Sequence, residues 1–291
     1  MKKFFLLISV LTAITFGIGF VAGVKKFFPY NVAKSFQRYI NDAVQTDELE
    51  ECEIETLSKL PNKFSVIVGH AYGSPKTSAL GNLIAPVVQD FIQSNLKNIE
   101  SIIFTGDVFS VPSSIKWASL YKAFGSVNIY IAPGNHDIRR EDSKEIFQRQ
   151  DFIKKEYPFQ INTNGTTIIV EDSVSNNWSI DLRLKTLLEM QDSDVLVARH
   201  NIVVSELIRL ANSIDGASKL PTASELARSI NTSADHKITW VMGDGGAFSN
   251  LPRITCKQFK NHRFIVNGIG EISGDTVLIV SMGNIYQYPI H

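Results

Sequence analysis

Ile102-Ile103-Phe104-Thr105-Gly106-Asp107 and Val127-Asn128-Ile129-Tyr130-Ile131-Ala132-Pro133-Gly134-Asn135-His136-Asp137 are the stretches on which the reading of this chain turns. Each is a short apolar run, broken by glycine and followed at once by polar side chains. Such runs, bounded by Gly or Pro, are the pattern of strands buried on both faces. Ile115 to Phe124, between them, has helical spacing. Working outward, Phe64 to Val68, ended by Gly69, reads as an earlier strand. Leu80 to Leu96 fits a helix with Leu83, Val87, Phe91 and Ile92 on one side. Further strands are expected at Thr167–Val170, Val195–Ala198, Ile238–Met242, Phe264–Val266 and Val277–Val280, and a helix over Asp181–Met190. Strands alternating with helices predict an α/β fold with helices on both faces of a sheet, doubly wound on pattern alone. Residues 263–288 carry strands without helices between them, so an antiparallel edge is expected there.

The whole chain has 291 residues, 29 Lys plus Arg and 29 Asp plus Glu, for a formal net charge of zero. That balance argues against a nucleic-acid binder that neutralises many phosphates. Hydrophobic residues make up 44%, which excludes a mainly disordered chain. Cys52 and Cys256 are too few for a disulfide scaffold and match no zinc-ribbon spacing, so they allow one bridge or none.

Met1-Lys2-Lys3 precedes an uncharged stretch from Phe4 to Val24. As a helix it would span about 30 Å of hydrocarbon. Val21 and Gly23 offer small residues for cleavage, but Lys25 and Lys26 follow directly, so an uncleaved signal anchor is the expectation. A buried core helix fits less well, because the run is apolar on all faces and flanked by lysines. The excess of Lys25, Lys26, Lys34 and Arg38 over Lys2 and Lys3 runs against export by the charge rule. The order of basic start, apolar run and large domain is nonetheless that of an exported single-pass protein with its folded domain on the extracytoplasmic side. Phe36, Ile40 and Val44 recur at helical spacing, so residues 25–60 read as a connector helix that turns acidic around Asp47 to Glu55. The folded domain is expected over residues 61–291.

Five strand ends carry polar groups: Gly69-His70-Ala71-Tyr72-Gly73, Gly106-Asp107, Gly134-Asn135-His136-Asp137, Arg199-His200-Asn201 and Gly243-Asp244-Gly245-Gly246. Ligands in such folds bind beyond the carboxyl ends of strands. Carboxylates, an amide oxygen and imidazoles together suit manganese, zinc or iron. Singly each has an ordinary reading: Asp107 could cap the helix near Ser113, and a lone His200 is more often a satisfied histidine. Five polar strand ends in one domain favour a site. His236, His262 and His291 lack such a context and read as surface or loop residues. Arg139 and Arg140 read as a solvated helix start rather than as phosphate ligands.

The order Gly-Asp, then Gly-Asn-His-Asp, then a strand-end His resembles the calcineurin-like metallophosphoesterase superfamily over residues 62–290. The resemblance implies a four-layer αββα sandwich of two mixed sheets rather than one doubly wound sheet. It implies that Asp107 bridges two metal positions, that Asn135 and His200 serve the second, and that His136 stands at the leaving group. Two motifs depart from the family. His70-Ala71-Tyr72 stands where Asp-x-His is usual, and Gly243-Asp244-Gly245-Gly246 where Gly-His-x-His is usual. The second position therefore keeps Asp107, Asn135, His200 and Asp244. The first keeps Asp107 with His70 and Tyr72 as tentative ligands. The expectation is a membrane-anchored phosphoester hydrolase with one firmly held divalent ion of one or two, in which His136 protonates the leaving oxygen and Asp137 orients its imidazole. The alternative is an inactive phosphoesterase fold serving as a binding or assembly module at the membrane.

Overall fold

The computed structural model describes residues 49–73, 83–154, 156–176, 179–210, 220–232, 236–247, 254–271 and 274–290. The expected anchor at Phe4–Val24, most of the connector and the first residues of the helix expected from Leu80 lie outside these. Among the described residues no helix is long and apolar enough to cross a membrane.

The apolar runs form two sheets. In chain order the strands are β1 (Glu50–Glu51), β2 (Phe64–Val68), β3 (Ile99–Phe104), β4 (Asn128–Ile131), β5 (Phe159–Thr163), β6 (Thr166–Val170), β7 (Val195–Arg199), β8 (Ile238–Met242), β9 (Ile254–Phe259), β10 (His262–Asn267), β11 (Thr276–Ser281) and β12 (Asn284–Pro289). The smaller sheet runs β12-β11-β2-β3-β4 and the larger β1-β9-β10-β8-β7-β6-β5. Strands β2, β3 and β4 are parallel, as are β6, β7, β8 and β10, so their carboxyl ends gather at one pole of each sheet. Hairpins β5–β6, β9–β10 and β11–β12 are antiparallel, the last two in or beside the segment expected to be so, and β1 and β11 also pair antiparallel, with β9 and β2.

Helices α1 (Pro86–Asn95), α2 (Ser114–Phe124), α3 (Asn135–Ile138), α4 (Glu141–Gln148), α5 (Leu182–Glu189), α6 (Ser205–Leu210) and α7 (Ala223–Ser229) complete the chain. Pro86 starts α1 later than expected, since proline lacks the N–H that a helix interior requires. Ser113, not Asp107, caps α2 by accepting the Lys116 amide. Outside the smaller sheet, Val88, Phe91, Trp117, Leu120 and Phe124 of α1 and α2 pack on Val66, Ile102 and Phe104. Outside the larger one, Leu184, Leu188, Leu207 and Leu226 pack on Val197, Trp240 and Phe264. Between the sheets, Ile67, Ile103 and Val280 face Ile168, Leu196, Val241 and Ile265. Each such side chain contributes about 1.5–3 kcal/mol when withdrawn from water. The result is a mixed α/β sandwich layered helix–sheet–sheet–helix, and the single doubly wound sheet suggested by pattern is corrected. Buried strands look alike in sequence whichever of two sheets they join.

Two expectations about the start of the domain change. The compact unit runs Asp47–His291, so residues 49–60 are not a free connector helix. Glu50 and Glu51 pair with Gln258 and Lys257, Ile54 is buried, and Cys52 is disulfide-bonded to Cys256.

His262, expected at the surface, is 1% exposed in β10, where its Nδ1 accepts the Trp240 indole N–H. Burial pulls its pKa from 6.5 down to about 4. The fold therefore holds it neutral, whereas the unfolded chain takes up a proton near pH 6.5. Its contribution is complete above that pH and drains as pH falls toward 4. The drop in urea midpoint between pH 6.5 and 4.5 should be smaller in His262→Gln than in wild type.

Candidate metal centre

The five polar strand ends meet at the common pole, tied by backbone bonds. The amides of His70 and Tyr72 donate to the carbonyls of Gly106 and Asp107, and Gly243 N–H to Arg199 and His200. Asn267, at the end of β10, accepts the Gly69 amide, linking the two sheets there. His70 (φ +50°) and Asp107 (φ +53°) both sit in the left-handed region. That conformation costs a non-glycine residue about 1–2 kcal/mol and persists where a site requires it. A β-carbon on Gly134 would overlap the Asp107 carboxylate and backbone, and one on Gly106 would overlap the His200 ring. The glycines are present because the turns touch.

His200 is fully buried. Its Nδ1 donates to the Thr105 carbonyl at 3.1 Å. This leaves a lone pair on Nε2, facing Asn135 Oδ1 at 3.1 Å and one oxygen each of Asp107 and Asp244 at 3.6 Å. Donor atoms of Asp107, His200 and Asp244 all lie within 4.8 Å of one another. Four lone-pair donors around one point repel unless a cation or a proton stands between them. Burial opposes charging His200, but Asp107 and Asp244 outweigh it and raise its pKa. Burial raises Asp244 to about 6 despite His200. The pocket holds more negative charge than the chain itself neutralises, and its donor set of carboxylates, imidazole and amide oxygen fits a divalent ion.

The other Asp107 oxygen faces a thinner set. His70 Nδ1 donates to the Ile269 carbonyl, and its Nε2, 2% exposed and without a hydrogen-bond partner, lies 3.8 Å from Asp107 Oδ2. Burial draws His70 down to about 4, so Nε2 keeps its lone pair. Tyr72, the other tentative ligand, packs its ring 4.2 Å from His70 and 5.2 Å from His136. Burial and then Asp107 push its ionisation upward.

His136 is exposed on α3, and its amide donates to Asp107 Oδ1 at 3.0 Å. Its Nδ1 donates to the Ser110 carbonyl at 2.9 Å. The expected role of Asp137 is corrected. Its buried carboxylate accepts the Gly134 amide at 2.9 Å and the Val108 amide at 3.2 Å, so it staples two turns together while Ser110 orients the imidazole. Burial and then Asp107 raise Asp137 to about 7.

One contributor escaped the sequence reading. Arg199, fully buried just before His200, donates from Nε to the Asn201 carbonyl at 2.9 Å and pairs with buried Glu171 at 3.1 Å. The Asn201 amide donates to Ser173. These bonds fix the turn on both sides of His200. Charged residues closing two otherwise apolar strands, β6 and β7, were the available signal.

No family model and no curated protein matches this chain. Among solved structures it is similar to the phosphopantetheinyl hydrolase of Mycobacterium tuberculosis, at 10% identity and a TM-score of 0.42, over 72% of this chain and 90% of that one. It is also similar to a conserved Streptococcus pneumoniae protein described as a predicted phosphoesterase, at 11% identity and a TM-score of 0.31, over 76% and 83%. The functional reading of this chain rests on the geometry above.

Proposed function

We propose that this protein is a metal-dependent phosphoester hydrolase of the metallophosphoesterase type, with one firm divalent-metal position and one weak one. The observation that carries the reading is the convergence of Asp107, Asn135, His200 and Asp244 on one buried point. Those four residues would hold the firm ion, and His70 with the second Asp107 oxygen would offer the weak position. A divalent ion of manganese, zinc or iron, when bound by these residues, would supply positive charge toward a phosphoryl oxygen and lower the pKa of water. His136, exposed beside the site, carries the proton for the leaving oxygen. The Ser110 carbonyl accepts from its Nδ1–H and so turns Nε2 toward the substrate. Asp137 keeps the turn that bears His136 in place.

A second reading, an inactive fold used for binding or assembly, draws on Gly246 and Tyr72, which stand where the family has ligands. Metal per chain and aryl phosphate hydrolysis separate the two for the full chain in detergent. Near one tightly held equivalent with hydrolysis supports the enzyme. Metal without hydrolysis across the divalent ions supports the binding module. His136→Ala should keep the metal and lose about 10²–10⁴-fold in kcat. An unchanged kcat would remove His136 from the mechanism.

For location, we propose a membrane-anchored protein with this domain outside the cytoplasm. The uncharged stretch Phe4–Val24 supports the anchor. The Cys52–Cys256 pairing supports an oxidising compartment.

A further inference from the structure

Among the described residues, six large apolar side chains are exposed, and two of them, Val111 and Ile115, lie four residues apart in the segment that follows Ser110. Val111 is 67% and Ile115 79% exposed. Val111 follows Ser110, whose carbonyl holds the His136 imidazole, and Ile115 lies in the first turn of α2.

The segment is firmly built. Phe109 is buried edge-on against Trp117 with centroids 4.7 Å apart. Lys116 Nζ donates to the Val111 carbonyl at 3.0 Å, and Ser113 caps the helix. A single exposed apolar residue needs no explanation, but two held out by a braced turn beside a site mark a binding surface.

We propose that Val111 and Ile115 receive the apolar part of the substrate's leaving group, so that the substrate class is an amphiphilic phosphoester with a long hydrocarbon chain on the oxygen that departs. This rests on the hydrolase reading. His136 delivers its proton to the leaving oxygen, so whatever departs lies over the turn that holds His136. Val111 follows Ser110 in that turn, and Ile115 lies in the first turn of α2 just beyond it. The step breaks the phosphorus–oxygen bond by addition of water, and releases inorganic phosphate and a long-chain alcohol that takes its proton from His136.

The test compares phenyl phosphate with 4-octylphenyl phosphate on the full chain in detergent. Their leaving groups have nearly equal acidity, so a difference in kcat/KM reports the chain. Wild type should prefer the octyl substrate about tenfold or more, since an open apolar surface withdraws part of the octyl chain from water. Val111→Ser/Ile115→Ser should erase most of that preference and leave phenyl phosphate unchanged. Val111→Leu/Ile115→Leu should keep it. Partitioning into detergent acts on all variants alike, so the ratio between proteins carries the result. An octyl preference absent in wild type, or untouched by the serine pair, overturns the proposal and leaves the hydrolase reading standing. Equal loss on both substrates in the serine pair also overturns it, assigning the turn to support of His136. Hydrolysis of neither substrate by wild type overturns the hydrolase reading, and this one with it.

Discussion

Asp107→Ala protein should bind no divalent metal and should lose on the order of a thousandfold or more in phosphoester hydrolysis. Asp107 turns one carboxylate oxygen toward His200 and the other toward His70, so in the proposed reading it would serve both positions. Without it, Asp244, His200 and Asn135 remain on one side, too few donors for tight binding, and His70 stands alone on the other. The charge supplied to the reacting phosphoryl group is then lost, and several kcal/mol of stabilisation go with it. A readout independent of activity exists. At metal concentrations a hundredfold above Kd, wild type should gain about 2.7 kcal/mol in unfolding free energy, and the variant none. Urea unfolding with and without added manganese measures this. Metal-dependent stabilisation that persists in Asp107→Ala would place the ion elsewhere.

The largest effect on stability is expected at Glu171. Glu171→Ala should cost about 3–5 kcal/mol in urea unfolding at pH 8, because it strands the Arg199 cation in a fully buried place. Burial raises Glu171 to about 7 despite Arg199, so pH 8 keeps the pair charged. Glu171→Leu/Arg199→Met should recover most of that loss, since an apolar pair of similar volume avoids the desolvation cost altogether. The same double variant should still bind metal about 10–100-fold more weakly, because the bond from Arg199 to Asn201 that braces the His200 turn is gone. Restored stability with unimpaired metal affinity would make the pair a packing feature with no part in the site.

The site was more legible in sequence than the architecture around it. His70, Asp107, Asn135, His136 and Asp244 each follow an apolar run that stops at or near a glycine, and His200 follows one that stops at Arg199; a strand end is a place one can find without knowing the sheet. Roles were harder. Asp137 beside His136 looks like an orienting carboxylate, and only coordinates reveal that the amides of Gly134 and Val108 occupy it. His262 looks isolated because its partner, Trp240, lies on a neighbouring strand. Glu171 and Arg199 meet only through the pairing of β6 with β7. Strand β5 went unread although Asn164-Gly165, both at positive φ, is a strong hairpin signal before β6. Its Phe159-Gln160-Ile161-Asn162 alternates weakly, as suits a half-exposed edge.

The bond between Cys52 and Cys256 spans 204 positions of sequence and makes nearly the whole domain a covalent ring. A protease that cuts one exposed loop between the two cysteines opens that ring without dividing the molecule. The nicked form would still migrate as one species on a non-reducing gel and fall into two on reduction. After one such cut, Asp107, Asn135, His200 and Asp244 would all still belong to one covalently connected molecule.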